Sequence, residues 1–227
     1  MGTTLKNCKW YFILLNSVLL VGIILLLNYG KSVSFITLNA YHPFLLNVFF
    51  INFTFIGDGI FALCLISLYL FYFKKKKEGV AYLYAFLFSG IVVQIIKNLV
   101  DAPRPRLFFE AGQYLHFIDG VSLANHSSFP SGHTATAFAI ATVFILFHQG
   151  IYSQLFVLLT AILVGYSRIY LAQHFLLDVM IGAVIGSVTG LIAFILVKHS
   201  KRIGKSIKTM HQFSPQQMSA PSSIQPV

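Results

Sequence analysis

The sequence predicts an all-α, polytopic membrane protein with six transmembrane helices and a candidate site at the outer membrane face. The chain has 227 residues, 57% hydrophobic and 10% charged, and its mean hydropathy is +0.78. A soluble domain carries about 25% charged residues, so this composition is typical of a chain that lies in a bilayer. Two further observations support the prediction: basic clusters fall on one side of the apolar stretches, and polar motifs fall on the other.

Six apolar stretches have the composition and, except for a short fourth one, the length to cross a hydrocarbon core of about 30 Å as helices. They cover residues 10–28, 53–73, 79–99, 133–147, 152–172 and 177–197. Residues 35–51 are also apolar, but His42 and Pro43 interrupt them, and we interpret this stretch as an interfacial segment. Residues 1–208 are therefore predicted to form one membrane domain. The Ser-, Pro- and Gln-rich end at 209–227 is predicted to be a disordered cytoplasmic tail.

The distribution of basic residues predicts how the chain crosses the membrane. Lys6 and Lys9 precede the first span, four lysines at 74–77 lie between the second and third, and five basic residues between 198 and 208 follow the sixth. Six spans place these three clusters on one side, which the positive-inside rule makes cytoplasmic. The loop at 100–132 and the junction between the fifth and sixth spans then face outward. Membrane anchoring accounts for the net charge of +10, so no nucleic-acid partner is expected.

Residues suited to phosphate binding are concentrated at this outer face. Lys97, Arg104 and Arg168 are cations with few acids nearby, and arginine forks match phosphate oxygens while lysine adds a mobile point charge. Ser131 and Gly132 directly precede the fourth apolar stretch. A serine cap and an accessible backbone at a helix N-terminus favour an anion site.

Two histidines and an aspartate add reactive groups to the same face. His133 and His174 carry imidazoles that titrate near neutral pH. Asp178 follows His174 by four residues, so on a helix the two would share a face, and a carboxylate on Nδ1 leaves Nε2 free as a nucleophile. Asp58, near the outer start of the second span, is interpreted instead as a turn or a helix cap. Ordinary structural roles explain each residue alone but not their convergence, which predicts phosphoryl chemistry.

Three motifs resemble the signature of the type 2 phosphatidic acid phosphatase (PAP2) superfamily. K-x6-R-P, P-S-G-H and S-R-x5-H-x3-D occur in this order, and they are matched by Lys97, Arg104 and Pro105, by residues 130–133, and by Ser167, Arg168, His174 and Asp178. The resemblance covers about residues 10–198. It implies a metal-independent membrane phosphatase that hydrolyses a mono- or pyrophosphate ester of a lipid through a phosphohistidine.

The resemblance also implies a role for each matched residue. His174 is the nucleophile, Asp178 orients it, and His133 is the general acid and then the general base. The phosphate-binding groups are Lys97, Arg104, Ser131, Gly132 and Arg168. No cofactor is implied, and the few acids of the chain make a magnesium site unconvincing.

Several functions remain open at this point. Undecaprenyl pyrophosphate, phosphatidylglycerol phosphate, phosphatidic acid and the 1-phosphate of lipid A are all compatible substrates. A lipid phosphotransferase would use the same histidine nucleophile. A non-catalytic transporter would use the histidines and the aspartate as a proton relay, although such charges would then lie at mid-span rather than at span ends. The compact chain is expected to be a bacterial inner-membrane protein with cytoplasmic termini and a periplasmic active site; its oligomeric state is not indicated.

Overall fold

The computed structural model describes residues 2–109, 117–118 and 120–212, with side chains up to residue 199, and this part of the chain contains helices and no strand. A 3₁₀ turn at Thr54–Gly57 joins the helices Phe44–Phe53 and Gly59–Ser67, and a π-helical turn at Leu68–Tyr72 follows the second of them. The α-helices are α1 (Gly2–Asn7), α2 (Lys9–Leu38), α3 (Phe44–Phe53), α4 (Gly59–Ser67), α5 (Lys76–Leu99), α6 (Pro105–Phe108), α7 (Gly132–Phe147), α8 (Ile151–Tyr170) and α9 (Leu176–Gln212).

Four helices of the described part are long and apolar enough to cross a membrane: α2, α5, α8 and the Leu176–His199 part of α9. The helical pair Phe44–Gly57 and Gly59–Tyr72 is bent by 56° and adds a fifth if it forms one broken span. Helix α7, predicted as the fourth span, has 16 residues. It therefore extends only about 24 Å along its axis. The protein is thus an all-helical integral membrane protein, and six spans remain a prediction.

The first long helix differs from the sequence-based expectation. Helix α2 continues to Leu38, well past the predicted end of the first span at residue 28. Gly30 interrupts it with a φ of 68°, a conformation that glycine adopts without steric cost, and the helix resumes after this kink. The stretch 35–51 therefore does not form a single element, and its interfacial location remains a prediction. Its first residues end α2, and the residues after Pro43 form α3.

Close packing of α9 on α7 brings the N-termini of these two helices together. Gly182, Gly186 and Gly190 repeat every fourth residue along the α9 face that contacts α7. An added Cβ at Gly182 would lie 2.6 Å from the Ser131 carbonyl oxygen. Small residues at this spacing let two membrane helices approach closely. As a result, the Ser131 amide donates a hydrogen bond to the Asp178 carbonyl at 3.0 Å.

The basic clusters lie together at the other end of the bundle. Thr4, Lys77 and Lys198 line one groove there, and Lys198 Nζ donates to Thr4 Oγ1 at 3.2 Å. Since α5 begins next to Lys77 and α9 approaches Lys198 only after several turns, Lys97 and Asp178 lie at the opposite end. This arrangement agrees with the grouping of the basic residues on one side; which side is cytoplasmic remains a prediction.

The C-terminal end of the chain also differs in part from its prediction. Helix α9 continues to Gln212, so residues 209–212, which the sequence predicts as the start of a disordered tail, are helical. The sequence contains no proline after Pro130 until Pro215, and a helix can continue until such a residue stops it. Residues 213–227 lie outside the described residues, and for them the predicted disorder remains a prediction.

Candidate active site

All the predicted site residues lie at the bundle end opposite the basic clusters. They come from the end of α5, the loop after it, the start of α7, the end of α8 and the start of α9. In this order the residues are Lys97, Arg104, Ser131, Gly132, His133, Arg168, His174 and Asp178.

The His174–Asp178 pair is the most deeply buried part of the site. Asp178 Oδ2 accepts hydrogen bonds from Ser128 Oγ at 2.5 Å and from the Phe175 amide at 3.0 Å. His174 Nδ1 lies 3.6 Å from the same oxygen. This separation is slightly longer than a hydrogen bond, and Nδ1 has no hydrogen-bond partner in the described part of the chain. The imidazole therefore faces an anchored carboxylate through Nδ1.

His174 and Asp178 are brought together in a different way from the shared helix face that their spacing predicts. His174 precedes α9, so the pair does not share a helix face. Asp178 is the third residue of α9 and reaches back to the Phe175 amide, which is the carboxylate half of a capping box. His174 is held separately, because its amide donates to the Arg168 carbonyl at 3.1 Å. A turn and a helix cap, rather than one helix, create the pair.

Burial favours the neutral form of His174. Loss of solvation lowers the pKa of His174, and the nearby Arg168 and Arg104 lower it further, while Asp178 acts in the opposite direction. A neutral imidazole with a free electron pair is the nucleophilic form. The surroundings of His174 thus suit attack on an electrophile.

Lys97 and Arg104 are held by carbonyl and amide oxygens. Lys97 Nζ donates to the Ser127 carbonyl at 2.5 Å. Arg104 Nη1 donates to Gln173 Oε1 at 2.8 Å, and its Nε donates to the His126 carbonyl at 3.0 Å. These neutral partners orient the two side chains without neutralising them, so both positive charges remain available to an anion.

Arg168 is buried, with 8% of its surface exposed. Its Nη1 donates to Thr54 Oγ1 at 2.7 Å, and its Nε has no hydrogen-bond partner among the described residues. A buried charged donor without a partner is costly, and a bound anion would remove that cost. Thr54 lies in the 3₁₀ turn between α3 and α4, outside every signature motif.

The N-terminus of α7 contributes backbone donors. Ser131 is the N-cap, as predicted, and its Oγ accepts from the Thr134 amide at 3.4 Å and from Thr134 Oγ1 at 2.8 Å. The amides of Gly132 and His133 have no partner in the described part of the chain. Free amides at a helix N-terminus form an anion site. A bond from the buried Ser131 hydroxyl to phosphate remains a prediction.

The second histidine also faces a carboxylate. His133 Nε2 lies 3.6 Å from Asp58 Oδ2, while Asp58 Oδ1 accepts from the Ile60 amide at 2.8 Å. Asp58 is thus the N-cap of α4, as interpreted from the sequence, but its other oxygen points to the site. Gly57 allows this approach, since a Cβ there would lie 2.8 Å from the His133 carbonyl oxygen.

Sequence reasoning missed several residues of this site. Ser128 lies two residues before the P-S-G-H motif, and Gln173 occupies a variable position inside the third motif; these locations are the signal that could have found them. Thr54 gives no such signal, and the contact between Asp58 and His133 joins two distant segments. Only the packing of the α3–α4 bend against α7 and α8 reveals them.

The fold defines an integral membrane protein, and one end of its helices brings together two histidines and three basic side chains. Residues 78–202 match the PAP2 superfamily, and the chain belongs to that superfamily.

Three similar proteins extend this assignment. Phosphatidylglycerophosphatase B of Bacillus subtilis (strain 168) is 29% identical over 167 residues, which are 67% of this chain and 74% of the relative. Undecaprenyl-diphosphatase BcrC of the same organism is 28% identical over 135 residues, 59% of this chain and 66% of the relative. The crystal structure of Aquifex aeolicus LpxE superposes with a TM-score of 0.63 at 32% identity, covering 72% of this chain and 93% of that one.

Proposed function

We propose that this chain is a lipid phosphatase that hydrolyses a phosphate mono- or pyrophosphate ester of a membrane lipid through a phosphohistidine intermediate. One observation carries the proposal. The buried His174 imidazole faces an anchored carboxylate through Nδ1, and the site also holds three basic side chains that are hydrogen-bonded to neutral partners. This arrangement binds a phosphate group and presents Nε2 to its phosphorus atom.

In the first half-reaction, Nε2 of His174 attacks phosphorus in line with the leaving oxygen. The N–P bond forms, the P–O bond breaks, and His133 donates a proton to the leaving oxygen. Asp178 stabilises the positive charge that develops on the His174 ring. The negative charge of the transition state spreads over the equatorial oxygens. The groups placed to stabilise it are Lys97, Arg104, Arg168 and the amides of Gly132 and His133.

In the second half-reaction, water attacks the phosphohistidine. His133 accepts a proton from this water, the N–P bond breaks, and inorganic phosphate leaves with His174 regenerated. The carboxylates near the site, Asp58 and Asp178, each face an imidazole. In the described part of the chain no three His, Cys, Asp or Glu side chains are grouped to hold a metal ion. The three basic side chains can take the electrostatic role that metal ions have elsewhere, and this supports a metal-independent reaction.

The location of the site supports a lipid substrate. It lies at the end of long helices whose outer surfaces carry exposed large apolar side chains, so an amphiphile can reach it by lateral diffusion. The two curated relatives are named for different phosphorylated substrates, which supports the class but does not select one member. We therefore retain undecaprenyl pyrophosphate, phosphatidylglycerol phosphate, phosphatidic acid and lipid A 1-phosphate as candidates. We place the site at the periplasmic face of a bacterial inner membrane, following the positive-inside rule.

The test is release of inorganic phosphate from these four lipids, in detergent with EDTA, by wild type, His174→Ala and His148→Ala. His148 is a matched control, because it is a half-buried histidine at the opposite end of the bundle, 3.5 Å from Glu78. We expect His174→Ala to lose release by at least about 10⁴-fold, whereas His148→Ala retains it. Wild-type turnover in His174→Ala would overturn the proposal. Loss of lipid phosphate without free phosphate, dependent on an added lipid acceptor, would identify a phosphotransferase instead.

A further inference from the structure

The bent segment between α3 and α4 supplies side chains to the site although it carries no signature motif. Thr54 accepts a hydrogen bond from Arg168, and Asp58 faces His133. Both residues precede the region that matches the superfamily, which begins at residue 78. The question is whether Asp58 is only a helix cap or also acts in the reaction.

The geometry gives the two carboxylate oxygens of Asp58 different partners. Oδ1 is fixed by the Ile60 amide, and this bond orients the whole group. Oδ2 is left to face His133 Nε2 at 3.6 Å, a gap that a small rotation of either side chain closes to a hydrogen bond. The close contact of Gly57 with the His133 backbone keeps the two elements at this separation.

The charges around His133 explain why a carboxylate is needed there. Arg168 of α8, Arg104 of the loop, Lys97 of α5 and the His174 ring lie near it from the other elements, and positive charges near an imidazole disfavour its protonated form. His133 must nevertheless be protonated before it donates to the leaving oxygen and again after it accepts from water. Asp178 is engaged with His174, Ser128 and Phe175, so Asp58 is the carboxylate that faces His133.

We propose that Asp58 is a positioning residue for His133: its carboxylate orients the imidazole and stabilises the imidazolium in both proton transfers. This role rests on the phosphoryl transfer proposed above. The proton that His133 gives to the leaving oxygen is replaced by one from the attacking water. Asp58 itself forms no covalent bond.

Asp58→Asn separates this role from capping, because asparagine caps a helix as well as aspartate does. With dioctanoyl phosphatidic acid, whose alkoxide leaving group needs a proton, we expect kcat to fall about 10- to 100-fold. The basic limb of its pH profile should also move to lower pH. With p-nitrophenyl phosphate, whose leaving group departs without a proton, the initial burst of p-nitrophenolate should be nearly unaffected.

Controls make each outcome decisive. Asp101→Asn alters the exposed carboxylate that lies 3.2 Å from His126 Nδ1, and it should keep wild-type turnover. Asp58→Ser keeps a capping oxygen and should repeat the loss if Asp58→Asn proves unstable in detergent. Wild-type kcat and pH profile in a folded Asp58→Asn would show a cap only, and equal loss in both assays would show a defect outside proton transfer. Either result overturns the inference. His174→Ala tests the phosphatase proposal separately, because the predicted loss of phosphate release in that variant does not depend on the role of Asp58.

Discussion

The site contains two histidine–aspartate pairs with the same 3.6 Å separation and different surroundings. The side chains of His174 and Asp178 are 3% and 4% exposed, whereas those of His133 and Asp58 are 30% and 36% exposed. The enclosed pair, His174 and Asp178, suits a nucleophile that has to remain neutral and oriented. The open pair, His133 and Asp58, suits a histidine that exchanges protons with a leaving group and with water. Under the proposed mechanism, the difference in burial assigns two functions to one combination of side chains.

The two pairs also differ in the sequence separation between their members. His174 and Asp178 are four residues apart, inside the region that matches the superfamily. His133 and Asp58 come from segments that meet only when the α3–α4 bend packs against α7. The enclosed pair can therefore be identified from a short motif, and the open pair cannot.

The largest effect should come from removing the charge of the enclosed carboxylate. We expect Asp178→Asn to lower kcat by about 10³- to 10⁴-fold, because a neutral amide neither stabilises the charged ring nor fixes its tautomer. The measurement is phosphate release together with acid-trapped phosphoenzyme, with Asp58→Asn assayed in parallel. If Asp178→Asn lost less activity than Asp58→Asn, the functional ranking of the two pairs would be reversed.

A smaller effect should follow from removing one of the hydrogen bonds that fix the Asp178 carboxylate while the carboxylate itself is kept. Ser128 is fully buried, and its hydroxyl donates to Asp178 Oδ2 at 2.5 Å. We expect Ser128→Ala to lower kcat by about tenfold, since a hydrogen bond to a charged group contributes roughly 1.5–3 kcal/mol. KM should change little, because Ser128 is not among the proposed phosphate-binding groups.

The exposed Ser122, whose carbonyl accepts from Gln173, provides a control for this substitution. Ser122→Ala leaves that carbonyl in place and should keep wild-type kcat. Unchanged kcat in Ser128→Ala would mean that the Phe175 amide alone anchors the carboxylate.

The sequence predicts much of this arrangement, and packing determines the rest. Motif spacing identified the cations and histidines that converge, and the N-cap residues Ser131 and Asp58 were recognised from local chemistry. The continuation of α2 past Gly30 was missed, because a glycine can end a helix or kink it and only tertiary contacts decide. Thr54 was missed for a related reason, since its role is defined by Arg168, a residue in another helix.

The smallest effect concerns the protonation of His174 in its enclosed position. Burial lowers the pKa of His174 below the value of about 6.5 that an unperturbed imidazole has. Protonating His174 therefore costs more free energy in the folded state than in the unfolded chain. The contribution of the neutral His174 to the free energy of unfolding is fully present above pH 6.5, and it is lost as the pH falls below that value.

We expect an NMR titration of the side-chain imidazoles, with His174 assigned from the spectrum of His174→Gln, to give a midpoint below 6.5. In Asp178→Asn the midpoint should fall further, because the carboxylate is what partly offsets burial. A wild-type midpoint at or above 6.5 would mean that Asp178 outweighs burial. His174 would then be protonated more readily than an unperturbed imidazole, and the imidazolium form has no free electron pair with which to attack phosphorus.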